Sequence, residues 1–292
     1  LKIILIQHII LEYPSASGIE LYQNKFYIIG DDSNKILCLN RNLKFDKSIV
    51  LFEFDGVRIA KKDKPDFEAC TIYNHNLLLF GSGSKLLERS FLYRYNLIDH
   101  SIRKQDLLSF YELLLSINSI KELNIEGITS IQEHFLFFNR ANNNQNNSLI
   151  VVYHFNSYLE DKLKIEDVEI RVIDIEIPTF KNHMLGISGA TYHEAGDILF
   201  LTASAENTDN AYDDGEILGS VICIIKNASK EILNSKIIIS NYINLESIDV
   251  ALKNQKIESI CIQNYTTNKY DITLVADNDI GNSEIFCLEM HL

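Results

Sequence analysis

Five times along this chain a Ser or Glu is followed by small and β-prone residues, then by a short turn and an apolar run. A motif that recurs in this way can only be satisfied by an array of equivalent small units. The motifs are Ser17-Gly18-Ile19-Glu20, Glu68-Ala69-Cys70-Thr71, Glu126-Gly127-Ile128-Thr129, Ser188-Gly189-Ala190-Thr191 and Glu258-Ser259-Ile260-Cys261. The apolar runs are Phe26-Tyr27-Ile28-Ile29, Leu77-Leu78-Leu79-Phe80, Phe135-Leu136-Phe137-Phe138, Ile198-Leu199-Phe200-Leu201 and Ile272-Thr273-Leu274-Val275. Successive lead residues are 51, 58, 62 and 70 positions apart. A period of this length in a chain of strands and turns marks a radial array of small sheets, so the expected class is all-β and the expected fold a β-propeller.

Counting strands gives the number of blades. Strand-like runs follow the first lead at Lys25–Ile29, Lys35–Leu39 and Ser48–Phe54, and the second at Leu77–Phe80, Phe91–Tyr95 and Ser101–Leu107. Ser109-Phe110-Tyr111-Glu112 matches a capping box and predicts one short helix between the second and third repeats. The third repeat continues through Phe135–Phe138, Leu149–His154 and Glu169–Ile177, with the Asn142–Asn147 tract as a hairpin loop. The fourth continues through Ile198–Leu201, Val221–Ile225 and Lys236–Ser240. The fifth ends at Glu284–Glu289, one strand short, whereas Lys2–Leu11 is a β-branched run that precedes every repeat. The N-terminal strand is therefore expected to complete the last blade and close the ring, removing two exposed sheet edges. Six blades is the alternative, and it would need about forty further unassigned residues. Residues 1–292 then form a single propeller domain.

Composition narrows the partners. An apolar fraction of 46% with 23% charged residues is that of a chain with a large core. The net charge of −13 disfavours nucleic acid, whose binding is driven by clustered Lys and Arg. No run reaches the length of a transmembrane helix, so no membrane partner is expected. The five cysteines sit in apolar runs without a Cys-x-x-Cys pair and are expected as buried free thiols, one incidental bridge remaining open. The chain starts at Leu1 and not at Met, which leaves both a cytoplasmic location and export after loss of a leader open. No partner protein is indicated.

The first strand of a propeller blade faces the central axis, so Ser17, Glu68, Glu126, Ser188 and Glu258 are expected to form one ring. Three carboxylates converging there must take up protons or bind a cation. Oxygen ligands of this kind suit a hard ion, and Ca²⁺ better than Mg²⁺. The alternative is that these residues only hydrogen-bond neighbouring blades. The segments after the second strands, Asp31-Asp32-Ser33, Ser82-Gly83-Ser84, Arg140-Ala141-Asn142, Ser204-Ala205-Glu206 and Asp277-Asn278-Asp279, are expected to line one mouth of the channel, where a site or simple polar turns would sit. Lys61, Lys62 and Lys64, just before Glu68, read as a solvated loop, the alternative being that they bring positive charge to the same rim, and the acidic Glu206–Glu216 stretch reads as a solvated loop or a second calcium site. The scattered histidines support no zinc site, and neither a phosphate loop nor a nucleophile elbow is present.

At these residues the chain resembles the calcium-activated nucleotidase (apyrase) family, a five-bladed propeller with Ca²⁺ in its channel and ring ligands in the same order, Ser, Glu, Glu, Ser, Glu. The matching segments are Ser17–Asn34, Phe67–Ser84, Asn124–Asn142, Gly186–Leu201 and Lys256–Asp277. The resemblance implies Ser17, Glu68, Glu126, Ser188 and Glu258 as calcium ligands, Asp31 and Asp32 as an acidic pair in the active site, and Arg140 beside the substrate phosphates. Asp277, Asn278 and Ser82 are added as rim residues expected to contact a small, possibly phosphorylated ligand. The chain departs from that family at Gly81-Ser82-Gly83-Ser84, where the family has a Gly-Gly-rich loop, and at Arg140-Ala141, where it has two arginines. It also resembles uncharacterised bacterial propellers that carry the Lys-Pro-Asp-Phe-Glu-Ala pattern seen at Lys64–Ala69. Three functions follow as expectations: a calcium-dependent hydrolase of nucleoside di- or triphosphates, a lactonase- or esterase-like propeller hydrolase, and a non-enzymatic binding scaffold with a structural ion.

Overall fold

The computed structural model describes residues 2–142, 145–207, 215–240, 242–278 and 281–292. Five sheets are arranged as blades. Blade 1 consists of Ala16–Tyr22, Lys25–Gly30, Lys35–Asn40 and Phe45–Val50, and blade 2 of Phe67–Tyr73, Asn76–Gly81, Phe91–Asn96 and Ile102–Asp106. Blade 3 consists of Ile125–Ile131, His134–Asn139, Asn147–Val152 and Ile170–Glu176, and blade 4 of Gly186–His193, Ile198–Asn207, Glu216–Lys226 and Tyr242–Asn244. Blade 5 runs Lys256–Thr266, Lys269–Asp277 and Ser283–His291, and its outer strand is Lys2–Leu11, paired antiparallel from Lys2 against His291 to Leu11 against Ser283. The inner strands contact one another in a closed circle, blade 1 to 2, 3, 4, 5 and back to 1, which selects five blades over six.

The apolar runs explain the core. In each second strand successive side chains point to opposite faces of the sheet, and both faces are covered by a neighbouring blade. Tyr27 and Ile29 pack towards blade 2, while Phe26 and Ile28 pack towards blade 5. Leu78 and Phe80 meet Phe135 and Phe137 between blades 2 and 3, and Leu136 and Phe138 meet Leu199 and Leu201 between blades 3 and 4. The core is thus five separate apolar layers, one between each pair of blades, and continuous apolar runs are required where alternation would leave one layer polar.

Three expectations are corrected. Lys236–Ile238 does not form the outer strand of blade 4; it adds in parallel to the outer strand of blade 3, pairing Ile237 with Ile175. Ile237 is buried there, Arg171 Nη2 donates to the carbonyls of Leu233 and Asn234, and Tyr242–Asn244 takes the outer position in blade 4. The outer strand of blade 1 begins at Phe45 and not at Ser48, because the left-handed Leu43 turns the chain early. The helix spans Leu108–Leu115 and the Ser109–Glu112 capping box is not made; Asp106 Oδ1 instead accepts from Leu108 N at 2.8 Å. The five cysteines are free and buried. Among the described residues no helix is long and apolar enough to cross a membrane.

The inner strands approach so closely that the residue after each lead must be small. A Cβ on Gly189 would lie 2.7 Å from Thr202 Oγ1 and 2.8 Å from the Glu258 carbonyl of the next blade. Gly189→Val is expected to lower stability by about 1–3 kcal/mol, the usual cost of overpacking, read from urea unfolding; an unchanged midpoint would contradict this close approach.

Candidate functional site

A β-bulge accompanies every repeat. The pairing of inner with second strands slips between Ala16 and Gly18, Phe67 and Ala69, Ile125 and Gly127, Ile187 and Gly189, and Ile257 and Ser259. The residue skipped in each case is the lead: Ser17, Glu68, Glu126, Ser188 and Glu258. A bulge leaves one residue unpaired and re-aims its side chain, so all five leads are freed from the ladder at the same end of the channel, beside the loops that follow the second strands.

The serines tie blades together. Ser17 Oγ donates to the Phe67 carbonyl of blade 2, and Ser188 Oγ donates to the Ile257 carbonyl of blade 5 at 2.5 Å. The glutamates arrive with cations. Glu126 accepts from Arg140 Nη1 at 2.6 Å and from Asn124 Nδ2 at 2.6 Å. Arg140 Nη2 donates to Glu206 Oε1 at 2.8 Å, and Lys256 lies 3.6 Å from the same oxygen and 3.1 Å from Glu258 Oε1. Glu206 of blade 4 thereby joins an arginine of blade 3 to a lysine of blade 5. Burial acts against the charge of Arg140 and Lys256, but the surrounding carboxylates overcome it and hold both protonated. Burial pushes the Glu126 carboxyl up while Arg140 and Lys256 pull it back. Room for Arg140 comes from Gly186, where a Cβ would sit 2.5 Å from its Nε.

Around the other half of this mouth the connection between blades 1 and 2 folds over the opening, with Ile59 N donating to the Asp32 carbonyl at 2.8 Å and Asp66 N to the Asp31 carbonyl at 3.0 Å. It delivers Arg58, Lys64 and Asp66. Lys64 is no solvated loop residue: its side chain is 12% exposed, and its ammonium pairs with Asp31, with Asp66 at 2.7 Å and with Glu68 at 4.0 Å. Among the described residues Asp31, Asp66 and Glu68 form the one group whose ligand oxygens all lie within 4.8 Å of one another; the three ring glutamates do not. Burial raises the Asp31 carboxyl against the pull of Lys64, and burial together with Asp66 and Asp31 raises Glu68 further. Asp32 Oδ2 accepts from Arg58 Nε at 2.5 Å and from Ser15 Oγ at 3.3 Å, while the buried Oδ1 atoms of Asp31 and Asp32 have no partner among the described residues.

Of the remaining expected rim residues, Ser82 is fully buried and directs its hydroxyl to Asp66, with Ser84 Oγ 2.8 Å away. Asn278 shapes its own loop, its Oδ1 accepting from Asn282 N at 3.1 Å, and Asp277 lies near enough to Arg58 to favour its charge. Asp279 and most of the Glu206–Glu216 stretch, including the calcium site considered there, fall outside the described residues. Sequence reasoning missed Asp66, Arg58, Arg89 and Lys256, whereas Glu206 lies in the Ser204–Glu206 segment expected at this mouth. The signal for Asp66 lay in Lys64-Pro65-Asp66, since Asp66 is left-handed and Arg89 Nη1 donates to it at 2.6 Å; Arg58 and Arg89 carried no signal in spacing.

Removing the shared cation should be costly. Arg140→Met leaves Glu126 and Glu206 buried without it, and a loss of about 3–5 kcal/mol is expected. Glu206→Gln, which leaves Arg140 its bond to Glu126, should cost less than half of that. Urea unfolding of both variants decides it, and equal losses would contradict the shared network.

The likeness to solved structures is one of fold. A luciferin-regenerating enzyme is 8% identical with a TM-score of 0.46, the match covering 98% of each chain. A member of the DUF4221 family from Bacteroides vulgatus is 9% identical with a TM-score of 0.43, over 100% of this chain and 99% of that one. The Cps50 (Swd1) β-propeller domain from Myceliophteria thermophila is 10% identical with a TM-score of 0.37, over 92% of this chain, which spans 66% of that domain. No curated protein matches. With five blades and a repeated bulge in place, the match of residues 12–290 to a described family is the identifying finding: the chain belongs to DUF6929, a family of unknown function.

Proposed function

We propose that the protein is a calcium-dependent propeller that takes a small phosphorylated ligand at the mouth bearing Asp31, Asp32 and Arg140, and that hydrolysis of a nucleoside di- or triphosphate is the reaction to which this arrangement is suited. The observation that carries this is the gathering of Asp31, Asp66 and Glu68 around the buried Lys64 ammonium, a position already selected for a cation. The donor set is entirely carboxylate oxygen, which fits a hard ion. The axial ring fits one less well, since both serine hydroxyls are donated to carbonyls and Glu126 and Glu258 face Arg140 and Lys256. The ligands in this reading are therefore Asp31, Asp66 and Glu68, with Lys64 withdrawing.

Calcium there would supply electrostatic stabilisation of phosphate oxygens. The chain's own residues do the rest. Arg58, whose side chain is 48% exposed although Nε donates to Asp32 and Nη2 to Ser15 Oγ at 2.9 Å, brings a guanidinium charge to this mouth where an anion can approach it. Asp32 Oδ1, without a partner among the described residues, is the group that holds a water or its proton in this reading. Arg140 adds positive charge from behind Glu126 and Glu206, and Ser82 holds Asp66 in place. A second reading, a binding scaffold without turnover, is favoured by one feature: Arg58, Lys64, Arg89, Arg140 and Lys256 each already have a carboxylate partner.

Phosphate release from ADP, GDP and UDP, with Ca²⁺ or EGTA, tests the hydrolase. Calcium-dependent release is expected, falling at least about tenfold in Asp31→Asn and Glu68→Gln, each removing about 1.4 kcal/mol or more of stabilisation. Lys64→Met should lower the melting temperature in EGTA and raise calcium affinity on the order of tenfold, since the competing tethered cation is gone. A calcium-raised melting temperature without phosphate release leaves the scaffold, and no calcium shift in wild type or Lys64→Met rejects the metal.

A further inference from the structure

We propose that the opposite mouth of the channel is a second binding site, for a small organic cation carrying a primary ammonium group. Three residues after each lead the inner strands carry Glu20, Thr71, Thr129, Thr191 and Cys261. At the end of the channel where the first hairpin of each blade turns, Glu20, Thr71, Thr129, Ser130, Thr191 and Glu194 line a cavity of about 260 Å³ open to solvent. Four blades contribute to it, so its walls are as rigid as the ring itself.

The lining defines the ligand. Thr71 and Thr129 are only 3% and 7% exposed, yet their hydroxyls, like those of Ser130 and Thr191, have no hydrogen-bond partner among the described residues. These oxygens are not among the fully buried polar atoms that lack a partner, so they open on the cavity, where a ligand's donors can reach them. No Lys or Arg lines it, in contrast to the first mouth, where each carboxylate cluster brought its own cation. The two carboxyls of Glu20 and Glu194 therefore await a positive charge, and carboxylate and hydroxyl oxygens together form acceptors for an ammonium's three N–H donors. An anion would find no cationic partner in this lining. The volume is many times the roughly 10–15 Å³ that a single water requires, so the cavity suits a cation with a carbon body better than a bare ion.

The groups facing Glu20 are few. Cys70 of blade 2 and Cys261 of blade 5 are thiols kept neutral by burial. On blade 4 the Tyr192 hydroxyl donates to Asp197 and Glu194 stands at the rim; blade 3 offers only Thr129, Ser130 and Gln132. Burial raises the Glu20 carboxyl to about 8, the Leu21 N–H acting in the other direction. Without ligand it holds a proton at neutral pH, and an ammonium ion would displace that proton. With its folded value above the unfolded one, Glu20 favours the fold at low pH and that contribution is lost as pH rises towards 8.

The test is calorimetric titration of the intact chain with 1,4-diaminobutane in EGTA at pH 6, 7 and 8, beside its neutral isostere 1,4-butanediol and beside KCl. Expected are saturable binding of the diamine alone, affinity rising by up to about tenfold per pH unit below 8, and at least a tenfold loss in Glu20→Gln. Thr129→Val, which keeps size and removes a hydroxyl, should also weaken binding, and it serves should Glu20→Gln fail to fold. Absence of saturable binding, equal binding of the diol, equal competition by potassium, or an affinity indifferent to both substitutions overturns the proposal. Because the first mouth is left metal-free, its failure or success there does not bear on the outcome.

Discussion

Burying three glutamates around one axis is possible in this protein only because Lys64, Arg140 and Lys256 are buried with them. An uncompensated carboxylate in such a place would cost several kcal/mol of desolvation, and the ring would either take up protons or come apart. Each glutamate lies 2.6–4.0 Å from a cation, which offsets that cost in part while burial still holds all three carboxyls above their ordinary range, and Glu206 and Asp31 tie those cations across blade boundaries. The axial end of the channel is thus an alternating belt of charge, and every blade contributes to its geometry: the two serines by bonding to the carbonyl of the next blade, the three glutamates through ion pairs.

That belt depends in turn on the five bulges. A regular inner strand would keep the leads in the ladder and point alternate residues at the axis; the extra residue frees the lead and brings the following small residue against the neighbouring strand. Gly18, Ala69, Gly127, Gly189 and Ser259 occupy that second position. The closeness they allow brings the leads near enough to need compensation. The closing strand Lys2–Leu11 then holds the ring shut by completing blade 5, and among the described residues blade 3 alone extends beyond four strands, where Lys236–Ile238 covers an outer edge.

The two ends of the same channel are chemically opposite. One is crowded with charge that is largely satisfied internally; the other is open, lined among the described residues by hydroxyls without protein partners and by carboxyls without a cation. Both arise from one repeated segment, because a lead and the residue three positions on emerge at different ends of the same inner strand. A propeller made of such repeats presents two independent rings to solvent, and substitution at one need not disturb the other.

The fold and the ring positions were legible from particular residues. The apolar runs identified the second strands because a strand buried on both faces has to be apolar throughout, and the missing strand after Glu289 pointed to Lys2–Leu11. Lys236–Ser240 was misplaced because a three-residue parallel addition has no pattern of its own; its position depends on where Ile237 finds a buried slot. Lys64 read as solvated because a lysine beside two others in a polar stretch looks that way until the chain folds it over Asp31. The sequence by itself determined five equivalent blades, their closure and which residue of each repeat approaches the axis, since periodicity and hydrophobic pattern are local properties. Only the tertiary structure decided which charges meet there, because Arg58, Lys64, Arg140, Glu206 and Lys256 come from connections and strand ends whose spacing in the chain says nothing about distance across a ring.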